Sequence, residues 1–299
     1  MSLIKSKSFG LGLISIIYIT AILLSYALYV WIDSIPPVWE LLIIDIVATL
    51  YVYFWSCIWK NASLYDPYWS VAPPFLALFW LAQSFNSVSQ VPLKLWIIFG
   101  VVALWSLRLT WNWTRWFTGL DYEDWRYRNF RKKSGKWFFI INLFGIQVFP
   151  TIMVFLGSLS MSYSLSTANS SLITVFDIIG FIIAVGAVFI EGIADAQLHR
   201  FVKNRTDKGQ IMNQGLWSRS RHPNYFGEVT FWFGMYFFGL GTTYSSWWVI
   251  IGPIAIAILF LTYSIPVMDK YQLSKKEAYK EYMAKTPAFI PRIVKRKKL

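Results

Sequence analysis

What most limits this chain is a series of eight apolar runs, most of them about 20 residues long, with the charges gathered between them. They fall at Phe9–Trp31, Trp39–Trp59, Tyr68–Phe85, Pro92–Phe117, Trp137–Met161, Leu172–Leu198, Tyr225–Leu240 and Ser245–Val267. Hydrocarbon offers no partner for a backbone N–H or C=O, so runs of this length satisfy their own groups as helices. The expectation is an all-α, polytopic integral membrane protein with seven to eight transmembrane helices. Charge content agrees: only 14% of the residues are charged, against about 25% in an ordinary soluble domain. The first run is too long for a signal-peptide core and has no small-residue cleavage site, which predicts a retained helix. The third and seventh runs are short, as tilt or partial burial beside a polar cavity would allow.

The basic residues set an orientation. Of 28 Lys and Arg, 25 lie at the N-terminus, at Lys60, in 118–136, in 199–223 or in the tail after Met268. The alternate connections at 33–38, 86–91, 162–171 and 241–244 contain none. That is the positive-inside pattern of a chain with both termini cytoplasmic. The formal charge of +13 therefore reads as topology. Nucleic-acid binding would need a basic face on a soluble module, and none is present. One cysteine, Cys57 inside an apolar run, excludes a disulfide framework and a Cys-based metal site. The loops on the basic side hold nearly all the reactive groups. They predict a site facing the cytoplasm, open to a water-soluble cofactor and a lipid-dissolved substrate.

Ionisable groups in membrane helices are costly and mark candidate sites. In the fourth run Arg108, Asn112 and Arg115 are spaced i, i+4, i+7 and share a face. Arg115 is near enough to the end to snorkel; Arg108 lies two turns deeper and is expected to face a ligand. In the sixth run Glu191, Asp195 and His199 form another row. Two readings of it stay open: a divalent-metal set, or hydrogen bonding to a nucleotide's sugar and amide with Arg108 as ion partner. Asp66 precedes Pro67 at the start of the third run, a common helix start. A second role as acid beside a substrate carbonyl is compatible with it, and Asp45 in the second run is an alternative. The stretch Gly215-Leu216-Trp217-Ser218-Arg219-Ser220-Arg221-His222-Pro223-Asn224-Tyr225-Phe226-Gly227-Glu228 is a basic loop entering an aromatic helix. Arg219 and Arg221 suit phosphates, Asn224 suits an amide or ring edge, and Glu228 lies one turn beyond. Its glycines do not form a dinucleotide-binding fingerprint, and no strand precedes them.

Arg221-His222-Pro223-Asn224-Tyr225-Phe226-Gly227-Glu228 with the upstream Gly-Leu-Trp resembles the C-terminal domain of the steroid 5α-reductase superfamily, and most closely its bacterial branch, DUF1295. Leu104–Leu109, Asp121–Tyr127 and Tyr282–Pro291 agree in order. The resemblance runs from about Ser63 to Pro291 and makes the first helix an addition. It divides the chain into N-terminal helices 1–62, a reductase-like membrane domain 63–291 and a basic tail 292–299.

That resemblance implies NADPH-dependent reduction of a carbon–carbon double bond conjugated to a carbonyl, in a lipophilic steroid- or enoyl-lipid-like substrate. Asn224 would contact the nicotinamide amide, with Glu228 behind it. Arg108, Arg115, Glu191, Asp195, Arg219, Arg221, His222 and Tyr225 would complete the cofactor cradle, with no metal. Asp66 lies near the position of a glutamate that polarises the substrate carbonyl. The sequence departs where that glutamate's partner tyrosine is replaced by Trp105 and a helix asparagine by Glu191. The expected partners are the substrate and membrane lipids, with no nucleic acid, and the expected state is a monomer. The competing class is the integral-membrane, S-adenosylmethionine-dependent methyltransferases of isoprenylcysteine or phospholipids, which carry a similar Arg-His-Pro-x-Tyr loop.

Overall fold

All eight apolar runs are helical. The computed structural model describes residues 3–32, 35–165 and 172–292. The basic tail beyond Arg292, and parts of the connections at 33–38 and 162–171, lie outside the described residues. Among the described residues six stretches are long and apolar enough to cross a membrane: Lys7–Trp31, Pro37–Ile58, Leu93–Trp116, Trp125–Ser164, Val175–Asn204 and Tyr244–Lys275. The other two helices, Tyr68–Ser84 and Pro223–Thr242, are the two short runs, of 17 and 20 residues. With no strand among the described residues, this is an all-helical, polytopic membrane protein. The chain divides into two compact units, Met1–Asn169 and Ser170–Leu299.

The first unit holds α1 (Lys7–Trp31), α2 (Pro37–Ile58), α3 (Tyr68–Ser84), α4 (Leu93–Trp116), α5 (Trp125–Ser134), α6 (Phe138–Ile140) and α7 (Phe149–Ser164). Local chemistry starts and stops them. The Ser6 hydroxyl accepts from Phe9 N–H at 3.3 Å to cap α1, and Pro37 occupies the first turn of α2, where its missing N–H costs nothing. Between α6 and α7 the chain widens into a π-helix, Ile141–Val148, and Pro150 follows directly. A proline ring clashes with the carbonyl four residues back, and a wider turn relieves the clash. The same device recurs in the second unit, where the π-turn Phe260–Ser264 precedes Pro266. Ile17, Tyr18, Val52, Leu64, Tyr65 and Tyr68 pack the core of α1 to α3. Its hydroxyls are satisfied in place: Tyr18 donates to Leu64 O at 2.7 Å, and Tyr65 meets Thr151 at 2.7 Å.

The second unit holds α8 (Val175–Asn204), α9 (Pro223–Thr242), α10 (Ile251–Leu259), α11 (Ile265–Lys275) and α12 (Tyr279–Lys285). A capping box between Thr174 and Asp177 opens α8. Three glycines seven residues apart on α9, Gly227, Gly234 and Gly241, form a stripe against α8. A Cβ on Gly234 would stand 2.7 Å from Ala184 N, and one on Gly227 would stand 2.3 Å from Glu191 Cγ. Small residues that let backbones approach are what hold helices together where lipid removes the hydrophobic drive. Gly234→Leu should therefore force α9 away from α8 and destabilise the protein by about 1–3 kcal/mol. Thermal unfolding in detergent measures this, and a wild-type midpoint would show that the close approach is not needed.

Candidate functional site

The basic loop of the second unit is held from three sides. Gly215 sits at φ +58°, and a Cβ there would meet the Gln197 side chain at 2.5 Å, so both backbone and space require glycine. Leu216 N–H donates to Gln197 Oε1 at 3.0 Å and Trp217 Nε1–H to Ala194 O at 3.0 Å, tying the loop to the end of α8. The C-terminal strap straddles it. Arg221 N–H donates to Pro287 O at 2.9 Å, Ser220 Oγ–H to Phe289 O at 2.7 Å, and the Tyr282 hydroxyl to Trp217 O.

Asp269, on α11, sits at the centre of this clamp. It receives Arg221 Nη2 at 2.7 Å and the Tyr279 hydroxyl at 2.6 Å, and His222 Nε2 stands 2.9 Å from it. Arg221 Nε donates to Asp269 Oδ1 at 3.4 Å, and Nη1 to Thr286 O at 2.6 Å and Met283 O at 3.2 Å. Arg221 and His222, expected at a cofactor, thus have their partners inside the protein and are buried. A guanidinium taken out of water requires an acid and good hydrogen-bond geometry, and Asp269 with the strap carbonyls provides both. Burial, with the hydrogen bond to Asp269, holds the Tyr279 phenol above its ordinary value, so it remains a donor. His222 and Tyr225 stack with centroids 5.2 Å apart. Arg219 is exposed.

At the mouth of α9, Asn224 Nδ2 donates to Asp195 Oδ1 at 3.4 Å, and its Oδ1 accepts from Tyr225 N–H at 3.1 Å. Asp195 and Glu191, one turn apart on α8, are both buried. Gly227 allows Glu191 to lie against α9. Glu228 is buried and accepts from Trp232 Nε1 at 2.9 Å, so the acid bonded to Asn224 comes from α8 and not from α9 itself. Among the described residues no group of three or more His, Cys, Asp or Glu is arranged to hold a metal ion.

In the first unit Asp66 lies in the short connection before α3, knitted to the segment 120–131. The Tyr127 hydroxyl donates to Asp66 Oδ1 at 2.8 Å. Around this pair, Asp124 N–H donates to Ser63 Oγ at 2.9 Å, Ala62 N–H to Glu123 Oε1 at 2.9 Å, and Asn61 Nδ2 to Leu120 O at 2.8 Å. Burial, and next the nearby Asp124 charge, push the Asp66 carboxyl from 3.8 up to about 7. Arg126 and hydrogen bonds from Tyr127 and Ser63 pull the other way without cancelling the rise. Asp66 thus keeps its proton to a higher pH than an ordinary carboxyl. Arg108, Asn112 and Arg115 are each half-buried along α4. Asn112 Oδ1 is buried with no hydrogen-bond partner among the described residues.

Two residues of these clusters went unread in the sequence, Asp269 and Tyr127. Asp269 was visible as a lone carboxylate directly after an apolar run, and Tyr127 as the last residue of Asp121–Tyr127. Neither pattern names its partner, which stands 48 residues away for Asp269 and 61 for Tyr127.

A family model described as protein of unknown function, DUF1295, matches residues 52–286. An uncharacterized protein of Schizosaccharomyces pombe, C594.04c, is 26% identical, in an alignment covering 78% of this chain and 74% of the yeast protein. No solved structure matches the chain.

Proposed function

Because the chain belongs to the DUF1295 family, in the steroid 5α-reductase-like superfamily, we propose that it is a membrane-embedded, NADPH-dependent reductase. Its substrate is a lipophilic molecule with a carbon–carbon double bond conjugated to a carbonyl. The observation that carries this reading is Asp66, a half-buried acid hydrogen-bonded by Tyr127 whose carboxyl is raised to about 7. An acid of that kind is what a carbonyl oxygen needs as negative charge develops on it during conjugate reduction. NADPH, when bound, supplies the hydride.

The chain's groups suit such a cofactor. Asn112 Oδ1 is a buried acceptor with no partner among the described residues, and it lies in one row with two arginines. Asn224 offers a carboxamide already oriented by Asp195 for the nicotinamide amide. Arg219, exposed at the loop, and Arg108 and Arg115 along α4 are the groups assigned to phosphates. Glu191 and Asp195 are assigned to ribose hydroxyls and to holding Asn224. Arg221 and His222 act indirectly, by fixing the loop through Asp269, while Tyr225 and Glu228 set its exit into α9. The loops at 60–67, 118–136 and 199–223 face the cytoplasm, where the cofactor is available.

Mass spectrometry of small molecules that co-purify in mild detergent tests the reading, together with NADPH titration followed by tryptophan fluorescence. NADP(H) is the expected find. S-adenosylmethionine or its demethylated product would replace the reductase with a methyltransferase. Asn224→Ala should weaken NADPH binding by about tenfold, the cost of an amide pair left unmade in a half-buried site. Wild-type affinity in that variant would remove Asn224 from the cradle.

A further inference from the structure

Within the first unit, α1, α2 and α3 enclose a cavity of about 260 Å³ whose walls are almost wholly apolar. That is near the lower end of the roughly 300–1,000 Å³ of small-molecule sites. Besides Ser25, Tyr18, Tyr26 and Tyr29, its polar lining is a hydrogen-bonded pair. Asp45 and Tyr68 both line the cavity and are both buried, and the Tyr68 hydroxyl donates to Asp45 Oδ1 at 2.7 Å. No cation pairs with Asp45 among the described residues. A carboxyl in the middle of a membrane helix is expensive, and the Tyr68 hydroxyl engages Asp45 through Oδ1.

The cavity is also open at its side. Tyr26 and Phe75 line it and are 65% and 41% exposed. An apolar molecule can therefore enter from the bilayer. Most of the walls, including every residue from α1 and Asp45 itself, precede residue 52, where the family match begins. The other eight wall residues, Tyr68 among them, lie on α3 within the matched span.

We infer that this cavity is a binding site for a lipophilic alcohol, with the ligand's hydroxyl on Asp45 and Tyr68 and its hydrocarbon body along α1 and α3. A hydroxyl both donates and accepts, so it matches Asp45 in either protonation state, while the Tyr68 oxygen offers a second acceptor. A ketone matches only the acid form of Asp45, and an ammonium only the carboxylate. The site uses neither NADPH nor Asp66, so it stands or falls separately from the reductase reading.

The test uses the full chain in detergent and two photoreactive diazirine probes of equal chain length, one hexadecanol-based and one hexadecane-based. The alcohol probe should label peptides of α1 to α3 about tenfold more than the hydrocarbon probe, the worth of one hydrogen bond to a buried charged or acidic group. Excess unlabelled hexadecanol should suppress that labelling while hexadecane does not. Asp45→Leu should abolish the difference between the probes, and Ala72→Trp, which fills the cavity, should remove labelling by both. Equal labelling of the wild type by the two probes, suppression by hexadecane, or labelling confined to other helices would overturn the assignment. The wild-type competition needs no variant, so it decides the matter even where a substituted protein elutes as an aggregate.

Discussion

Asp269→Ala is expected to cost about 3–5 kcal/mol of stability, because it leaves the Arg221 guanidinium buried without its acid. Arg221 is only 9% exposed, and its bonds to Thr286 O and Met283 O satisfy donors without neutralising charge. The Tyr279 hydroxyl and His222 lose the same partner at once. Thermal or chemical unfolding in detergent measures the loss. A double replacement, Asp269→Leu with Arg221→Met, should recover much of the stability, since apolar residues of similar volume often substitute well for a buried ion pair. It should not recover function on the proposed reading, because the loop that presents Asn224 would lose its anchor to the strap. A drop below about 1 kcal/mol in the alanine variant would mean the pair is as weak as an exposed one, contrary to its burial.

Asp66→Asn should lower the rate of the reduction step by about 10²–10⁴-fold, the usual contribution of a placed acid, with NADPH affinity nearly unchanged. The wild-type rate should fall as pH rises through about 7, where the Asp66 carboxyl releases its proton. The asparagine variant should lack that limb. Stability follows the same group with a definite sign. Its folded value, about 7, lies above the ordinary 3.8, so the folded state binds the proton more tightly than the unfolded one. The contribution is complete below about pH 4 and is lost as pH climbs to about 7. Full activity in Asp66→Asn would take this residue out of the chemistry and leave it as a structural acceptor for Tyr127. Tyr127→Phe then separates the two roles of the pair. It should raise KM little, lower kcat, and move the pH limb, because the hydroxyl orients the acid without replacing it.

How much of this was legible beforehand differs by level. The helices were readable because hydrocarbon leaves the backbone one solution: the runs Phe9–Trp31 through Ser245–Val267 all became helix, most within about three residues of their apolar limits, while α8 runs on to Asn204 and α11 to Lys275. The two short runs were also readable as exceptions, and they are the two that lack the length or apolarity to cross a membrane by themselves. The π-turns before Pro150 and Pro266 were not foreseen, although the prolines that demand them were in plain view. Asp66, Asn224 and Asp195 could be singled out from their chemistry and position. Asp269 and Tyr127 could not, because a buried acid at a helix end and a tyrosine in a basic segment look the same whether or not they have a partner.

The sequence by itself determined class, helix content, family and the set of polar residues worth suspecting, since each rests on spacing along the chain or on hydrophobicity that no neighbour can alter. Tertiary structure alone decided which suspects are committed elsewhere. It brought Arg221 and His222 onto Asp269 across nearly fifty residues, gave Asn224 to Asp195, and set Tyr127 against Asp66. It also opened the cavity beside Asp45. The physical reason is that a buried charge or amide is defined by what lies within about 3 Å of it, and linear order does not specify neighbours at that distance.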